Sequence, residues 1–141
     1  MKTLFLASAA ALSLSVSAAT LNLGDNVRVV SINGKSVPAY ASKIELDPGI
    51  NNVTVRYDSL FEQDAESHWF IRSELHQLTF KAMGDEEYFL DAPAAESDQQ
   101  GQMLANDPTF TLMDESDNRI DHGLRSHTEL LNQTGVAGNQ F

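Results

Sequence analysis

Four histidines, His68, His76, His122 and His127, are the first residues whose types could do chemistry. Neutral imidazoles bind zinc when two or more converge, but these spacings match neither H-E-x-x-H nor a Cys/His finger, and the chain has no cysteine. On one extended strand His68 and His76 would share a face and stand about 27 Å apart, at roughly 3.3 Å per residue. They could share a metal only after a chain reversal. The acid-rich run DESDNRIDHG, residues 114–123, places oxygen ligands at Asp114, Ser116 and Asn118 as a calcium loop would. Arg119 then stands where such a loop needs glycine, so the run reads as a polar turn. GDEE, residues 84–87, gathers three carboxylates that would act as a general acid and base only in a cleft able to raise one pKa.

Nucleophilic chemistry has no better footing. G-x-S-x-G, S-x-x-K, a thiol and a glycine-rich phosphate loop are all missing from the sequence. The sequons Asn52-Val53-Thr54 and Asn132-Gln133-Thr134 read as chance matches. No residue is therefore assigned a catalytic, cofactor-binding or metal-ligating role, and no cofactor is expected.

The elements that would have to position any site carry more information. The chain has 141 residues, enough for one domain with a real core. Lys2, an apolar run from about Leu4 to Val16 and small residues at Ser17, Ala18 and Ala19 form the pattern of a secretory signal peptide, with cleavage after Ala18 or Ala19. The apolar run is too short to span a bilayer. Export permits disulfides, yet without cysteine the mature domain must hold together by packing alone. The whole chain has 9 basic and 20 acidic side chains, net −11; without Lys2 the mature part has 8 against 20, net −12. Such a surface repels nucleic acid and anionic membranes.

Residues 44–61, IELDPGINNVTVRYDSLF, read as a β-hairpin. Ile44 and Leu46 share one face of the first strand, Val53, Val55 and Tyr57 share one face of the second, and Asp47-Pro48-Gly49 supplies the turn. Gly49 takes the positive-φ position. Val27 and Val29 mark another strand, ending at Asn33-Gly34, the strongest short hairpin signal. In HWFIRSELHQLTFKA, residues 68–82, Ile71 and Ser73 share one parity whereas Leu78 and Phe80 take the other, which predicts a bulge or two short strands. EEYFLDAP and TFTLMDES supply further strands, with Phe110 and Leu112 on one face. AAESDQQGQMLA, residues 94–105, is either a short helix weakened by Gly101 or a solvated loop. The stretch after Ser126 reads as frayed.

With these strands in view, ATLNLGDNVRVVSINGKSV followed by SKIELDPGINNVTVRYDSLF resembles the opening of an uncharacterised family of secreted bacterial proteins that includes the curli synthesis inhibitor. The likeness extends more weakly through WFIRSELHQLTFKAMGDEEYFLDAP and covers about residues 18–125. The resemblance implies a small periplasmic or secreted β-domain and a role in restraining extracellular amyloid-type assembly. An acidic, strand-rich domain could meet an unpaired strand of a partner by β-augmentation. The outer strand of the 44–61 hairpin, around Thr54 and Arg56, is the candidate docking edge.

The expectation is an all-β or β-dominated domain over residues 20–125: a small antiparallel sheet or sandwich built from hairpins, with at most one short helix. A signal peptide at 1–19 precedes it and a flexible tail at 126–141 follows. Its function is that of an exported, periplasmic, non-catalytic binding or regulatory protein. A cell-envelope structural protein and, further off, a small hydrolase are the alternatives. The expected partner is another exported protein, an amyloid subunit by the resemblance, with no nucleic acid and no stable membrane insertion.

Overall fold

Ten strands and two helices follow one another in the computed structural model, which describes residues 18–62, 64 and 66–138. They are β1 (Ala19–Leu23), β2 (Val27–Ile32), β3 (Lys35–Ser36), β4 (Lys43–Leu46), β5 (Gly49–Glu62), β6 (His68–Arg72), β7 (His76–Ala82), β8 (Glu87–Asp91), α1 (Asp98–Asn106), β9 (Thr111–Asp114), β10 (Gly123–Ser126) and α2 (His127–Gly138). The export signal expected at 1–19 lies outside the described residues except for Ala18 and Ala19, and Ala19 already opens β1, buried opposite Leu46. Cleavage itself is not visible in the fold.

The strands form a four-stranded sheet, β4-β1-β8-β9, and a six-stranded one, β10-β7-β5-β2-β3, with β6 pairing the distal half of β5. The β-dominated architecture of the expectation is what the chain adopts. Period-2 alternation explains it: Val53, Val55 and Tyr57 of β5, Leu78, Phe80 and Ala82 of β7, and Val27 and Val29 of β2 all point inward. They meet Leu21, Tyr88, Leu90 and Leu112 of the smaller sheet in one core, where the rings of Phe80 and Tyr88 pack edge to face at 5.4 Å. The parity change within residues 68–82 is resolved as two strands, with the break at residues 73–75.

The β2–β3 turn has the geometry its residues demand. Asn33 and Gly34 both have positive φ, 50° and 81°, the pattern of the primed turns that match strand twist. Four expectations need correction. Residues 44–61 are not a hairpin: β4 pairs β1 and β5 pairs β2 and β7, so the Asp47-Pro48-Gly49 turn carries the chain from one layer to the other. Gly49 does have positive φ, 90°. A corner and a hairpin share turn chemistry, and only the partner strands tell them apart.

The sheets are also not wholly antiparallel, because β1 and β8 run parallel. Their long connection, which contains most of the other sheet, allows it. A second helix exceeds the single one expected. α2 occupies most of the stretch read as a frayed tail, and it is tied at its start: the His127 N–H donates to the Leu75 carbonyl, the Thr128 hydroxyl to Glu74 and the Glu129 N–H to Ser126 Oγ. The first two of those contacts come from distant sequence. α1 is the helix of the two options left open, N-capped by Ser97, which accepts from the Gln100 N–H. Gly101 sits in it because a Cβ there would stand 2.9 Å from both Ile71 and Phe61. The fourth correction concerns the docking edge.

Candidate binding surface

Thr54 and Arg56 cannot be a docking edge. β5 is paired by β2 along residues 53–57 and by β7 along 49–55, so its middle is the most enclosed backbone in the sheet. Its distal half differs. Residues 58–62 run beside β6 as a two-stranded arm, and among the described residues no strand pairs the other edge of β6. α1 braces the inner face of the arm through Gly101, Ile71 and Phe61, Phe61 stacks on Trp69 at 6.0 Å, and Trp69 Nε1 donates to Asp98.

The backbone hydrogen bonds identify which β6 groups face outward. Ser73 donates its N–H to the Tyr57 carbonyl, and the Tyr57 N–H donates to Ser73 Oγ. In an antiparallel ladder bonded and non-bonded pairs alternate, so Ile71 and Trp69 also face β5, whereas Arg72, Phe70 and His68 turn their N–H and C=O away from it. Trp69 is 37% and Phe70 49% exposed on this strand.

The outer face of β5 carries Arg56, Asp58 and Leu60 at alternate positions. Register sets Arg28 of β2 directly opposite Arg56, Arg72 of β6 opposite Asp58, and Phe70 opposite Leu60. Three of the five arginines of a chain with net charge −11 thus surround one carboxylate. Asp58 Oδ2 accepts from Arg72 Nε at 3.2 Å and lies 3.7 Å from Arg56 Nη2, an ion pair too long for a hydrogen bond. Arg28 makes no ion pair or side-chain hydrogen bond among the described residues. Buried atoms Arg56 Nε and Asp58 Oδ1 have no partner. Burial, with Arg72 and Arg28 close by, holds Arg56 below the usual arginine value although Asp58 acts in the other direction; the guanidinium stays charged. The Arg72 guanidinium also stacks on the Phe70 ring, 4.4 Å from its centre.

A hollow of about 280 Å³ opens here, lined by Asp25, Arg28, Asp58, Leu60 and Phe70 with Ala39 and Ala41 as its wall. A larger groove of about 490 Å³ lies further along the same sheet, lined mainly by uncharged side chains such as Ser31, Asn52, Thr54 and Gln77, with His127 at its side. The smaller hollow thus sets one guanidinium and two carboxylates beside apolar surface.

The residues singled out from the sequence lie elsewhere. His68 begins β6, His76 is buried edge-on to Phe110, His122 bonds the Ile120 carbonyl, and His127 begins α2. Among the described residues no three His, Asp or Glu side chains gather as metal ligands do. Asp114 turns its carboxylate to the N–H groups of Ser116 and Asn118, which hold it below the ordinary aspartate range, Asn118 first. In GDEE, Glu86 accepts from the Tyr88 hydroxyl while Glu87 pairs with Lys43 at 3.3 Å. The arginine cluster escaped the sequence reading. Its only local signals are the same-face pairs Arg56/Asp58 and Phe70/Arg72, and joining them requires the strand register.

A family model described as uncharacterized protein conserved in bacteria (DUF2057) matches residues 20–138. A UPF0319 protein of Shewanella oneidensis is 31% identical over 105 residues, covering 71% of this chain and 46% of the relative. Another, from Shewanella baltica, is 29% identical over 105 residues with the same coverage. The chain thus spans about half the length of these relatives. No solved structure matches it significantly. No helix among the described residues is long and apolar enough to cross a membrane. With the match extending from β1 into α2, the chain belongs to the DUF2057 family of conserved bacterial proteins.

Proposed function

We propose that this chain is an exported, periplasmic binding domain that acts without catalysis and restrains curli-type amyloid assembly by capping an unpaired strand of the assembling subunit. One observation carries the reading: among the described residues β6 is paired along a single edge, and it presents Trp69 and Phe70 beside outward-facing backbone donors and acceptors. An unprotected edge of this kind is a template for a further strand, and growing amyloid ends expose the complementary one. The acidic net charge opposes self-association of the capping domain.

Added substoichiometrically to a polymerising curli-type subunit near physiological salt, the full chain lengthens the lag phase. Phe70→Pro abolishes the delay, because proline removes an outward N–H that no internal ladder bond uses. Phe70→Ala retains part of it, which separates the donor from the ring. Circular dichroism verifies that both variants fold. A wild-type chain that leaves the lag unchanged at every ratio sinks the proposal. Export is tested separately: N-terminal sequencing from a periplasmic fraction should begin at Ala19, since cleavage after Ala18 preserves the buried Ala19–Leu46 pair. Intact Met1 in the cytoplasm would overturn it.

A further inference from the structure

We infer that the free edge of β4 pairs with the β4 edge of a second copy of this chain, so that the two four-stranded sheets join antiparallel about a two-fold axis at Ile44. The pairing leaves β6 untouched. It goes beyond edge docking at that strand, and neither reading needs the other.

The open side between the two sheets supplies the place. β3 ends the six-stranded sheet and β4 ends the four-stranded one, and among the described residues no strand pairs the outer side of β4. A groove of about 460 Å³ runs between these two edges, with Ile32, Val37 and Ile44 in its apolar lining. Its charged lining is Lys35, Lys43, Glu45 and Asp47, equal in the two signs. In a chain with 20 acidic and 9 basic side chains this balance sets the face apart, because here the surface can meet its own copy without a net like-charge repulsion. Lys43 and Glu45 are exposed, and the only ion pair either makes among the described residues is the surface contact of Lys43 with Glu87 at 3.3 Å, a kind that contributes little.

The ladder bonds identify the free backbone groups and the register. The Leu23 N–H donates to the Ser42 carbonyl at 2.9 Å, a bonded pair next to Asn22/Lys43. By alternation Ile44 and Leu46 also bond toward β1, whereas Lys43 and Glu45 turn their N–H and C=O outward. A second β4 laid antiparallel must match outward residues with outward residues. Centring the pair on Ile44 sets Lys43 opposite Glu45 of the second copy and Glu45 opposite its Lys43, and each of these pairs exchanges both N–H···O bonds. The neighbouring registers set Lys43 against Lys43 or Glu45 against Glu45, so charge selects the centred one. There the half-buried Ile44 side chains of the two copies meet as a close pair beside the groove. Such a pair consumes the β4 edge of each copy and closes, while the acidic charge elsewhere still opposes open-ended stacking. A strand of 4 residues makes a small interface, which places dissociation on the order of 100 µM.

The test is sedimentation velocity of the full chain from about 10 µM to about 1 mM near physiological salt, with amide exchange followed by NMR at both ends of that range. A monomer–dimer equilibrium is expected, with the Lys43 and Glu45 amides slowed only at the high concentration. Lys43→Glu and Glu45→Lys should each weaken dimerisation at least tenfold, because each sets like charges opposite one another. An equimolar mixture of the two variants should pair again, since every facing pair is then opposite in sign. Circular dichroism verifies that both variants fold, and Glu45, exposed and without an ion pair among the described residues, is the milder substitution. The inference is overturned if the chain stays monomeric at about 1 mM, if either variant dimerises like the wild type, or if the mixture does not pair. It is also overturned if the slowed amides are those of His68 and Phe70, which would mark pairing through β6. The same holds if a capped, uncharged strand peptide slows Lys43 and Glu45 while the chain itself stays monomeric, which would mark a site for a foreign strand.

Discussion

At the proximal end of β5, Asn51 is completely buried and its amide is bonded throughout. Oδ1 accepts from the Asp47 N–H and from Asn33 Nδ2, while Nδ2 donates to the carbonyls of Asp47 and Gly49. Five and seven residues along the same strand, Arg56 and Asp58 keep buried atoms with no partner among the described residues. Both regions are polar groups taken out of water by one sheet. Asn51 closes the corner where the chain passes between layers, and its bonds satisfy backbone that a sharp turn would otherwise strand. The arginine cluster closes nothing. An unpaired buried polar atom weakens a fold, so this face, with two of them among the described residues and two arginines opposed, stabilises the sheet less than the corner does.

The comparison breaks most readily at the corner. Asn51→Ala takes the side-chain partner from the Asp47 and Gly49 carbonyls and the Asp47 N–H, leaves Asn33 Nδ2 with Asp47 Oδ2 alone, and should destabilise the domain by about 3 kcal/mol, read from urea melts. A loss below about 1 kcal/mol would mean that water replaces the side chain and that the two regions are alike. Gly49→Val tests the same corner through the backbone. With φ at 90° and nothing within 4 Å of a new Cβ, the effect is conformational strain alone, about 2 kcal/mol. An unchanged thermal midpoint would contradict the positive φ.

At the cluster, Asp58→Asn removes the one carboxylate among three guanidiniums, with a loss of about 1 kcal/mol at low salt that shrinks in 1 M salt. In an Arg28→Gln background the loss should be smaller, since one repelling charge is already gone; equal losses in both backgrounds would show that Arg28 is electrostatically remote. The smallest effects are pH limbs. Asp114 is depressed in the folded state, so its contribution is complete above the unfolded value near 3.9 and fades as pH falls through the lower folded one. Tyr88 is raised, first by burial, so its contribution is complete below about 10 and fades as pH rises through the higher folded value. Melting midpoints should therefore be level between the limbs, and Asp114→Asn should flatten the acid one. A midpoint that drifts steadily through neutral pH would contradict this assignment.

What the sequence determined by itself was local. Alternation at Val53, Val55 and Tyr57, the Asn33-Gly34 turn, the positive φ of Gly49 and the parity change near Leu75 all follow from side-chain period and turn sterics, which act within a few residues. The tertiary structure decided which strands meet. Backbone hydrogen bonds are the same for every partner, so the choice of β1 over β5 as the neighbour of β4, the parallel β1–β8 pair and the tethering of α2 depend on which apolar faces can be buried together across long stretches of chain. The arginine cluster is of this second kind. Arg28, Arg56 and Arg72 come from three strands, each an ordinary solvent-side residue in its own segment, and only the register that lays those strands side by side gathers them near Asp58.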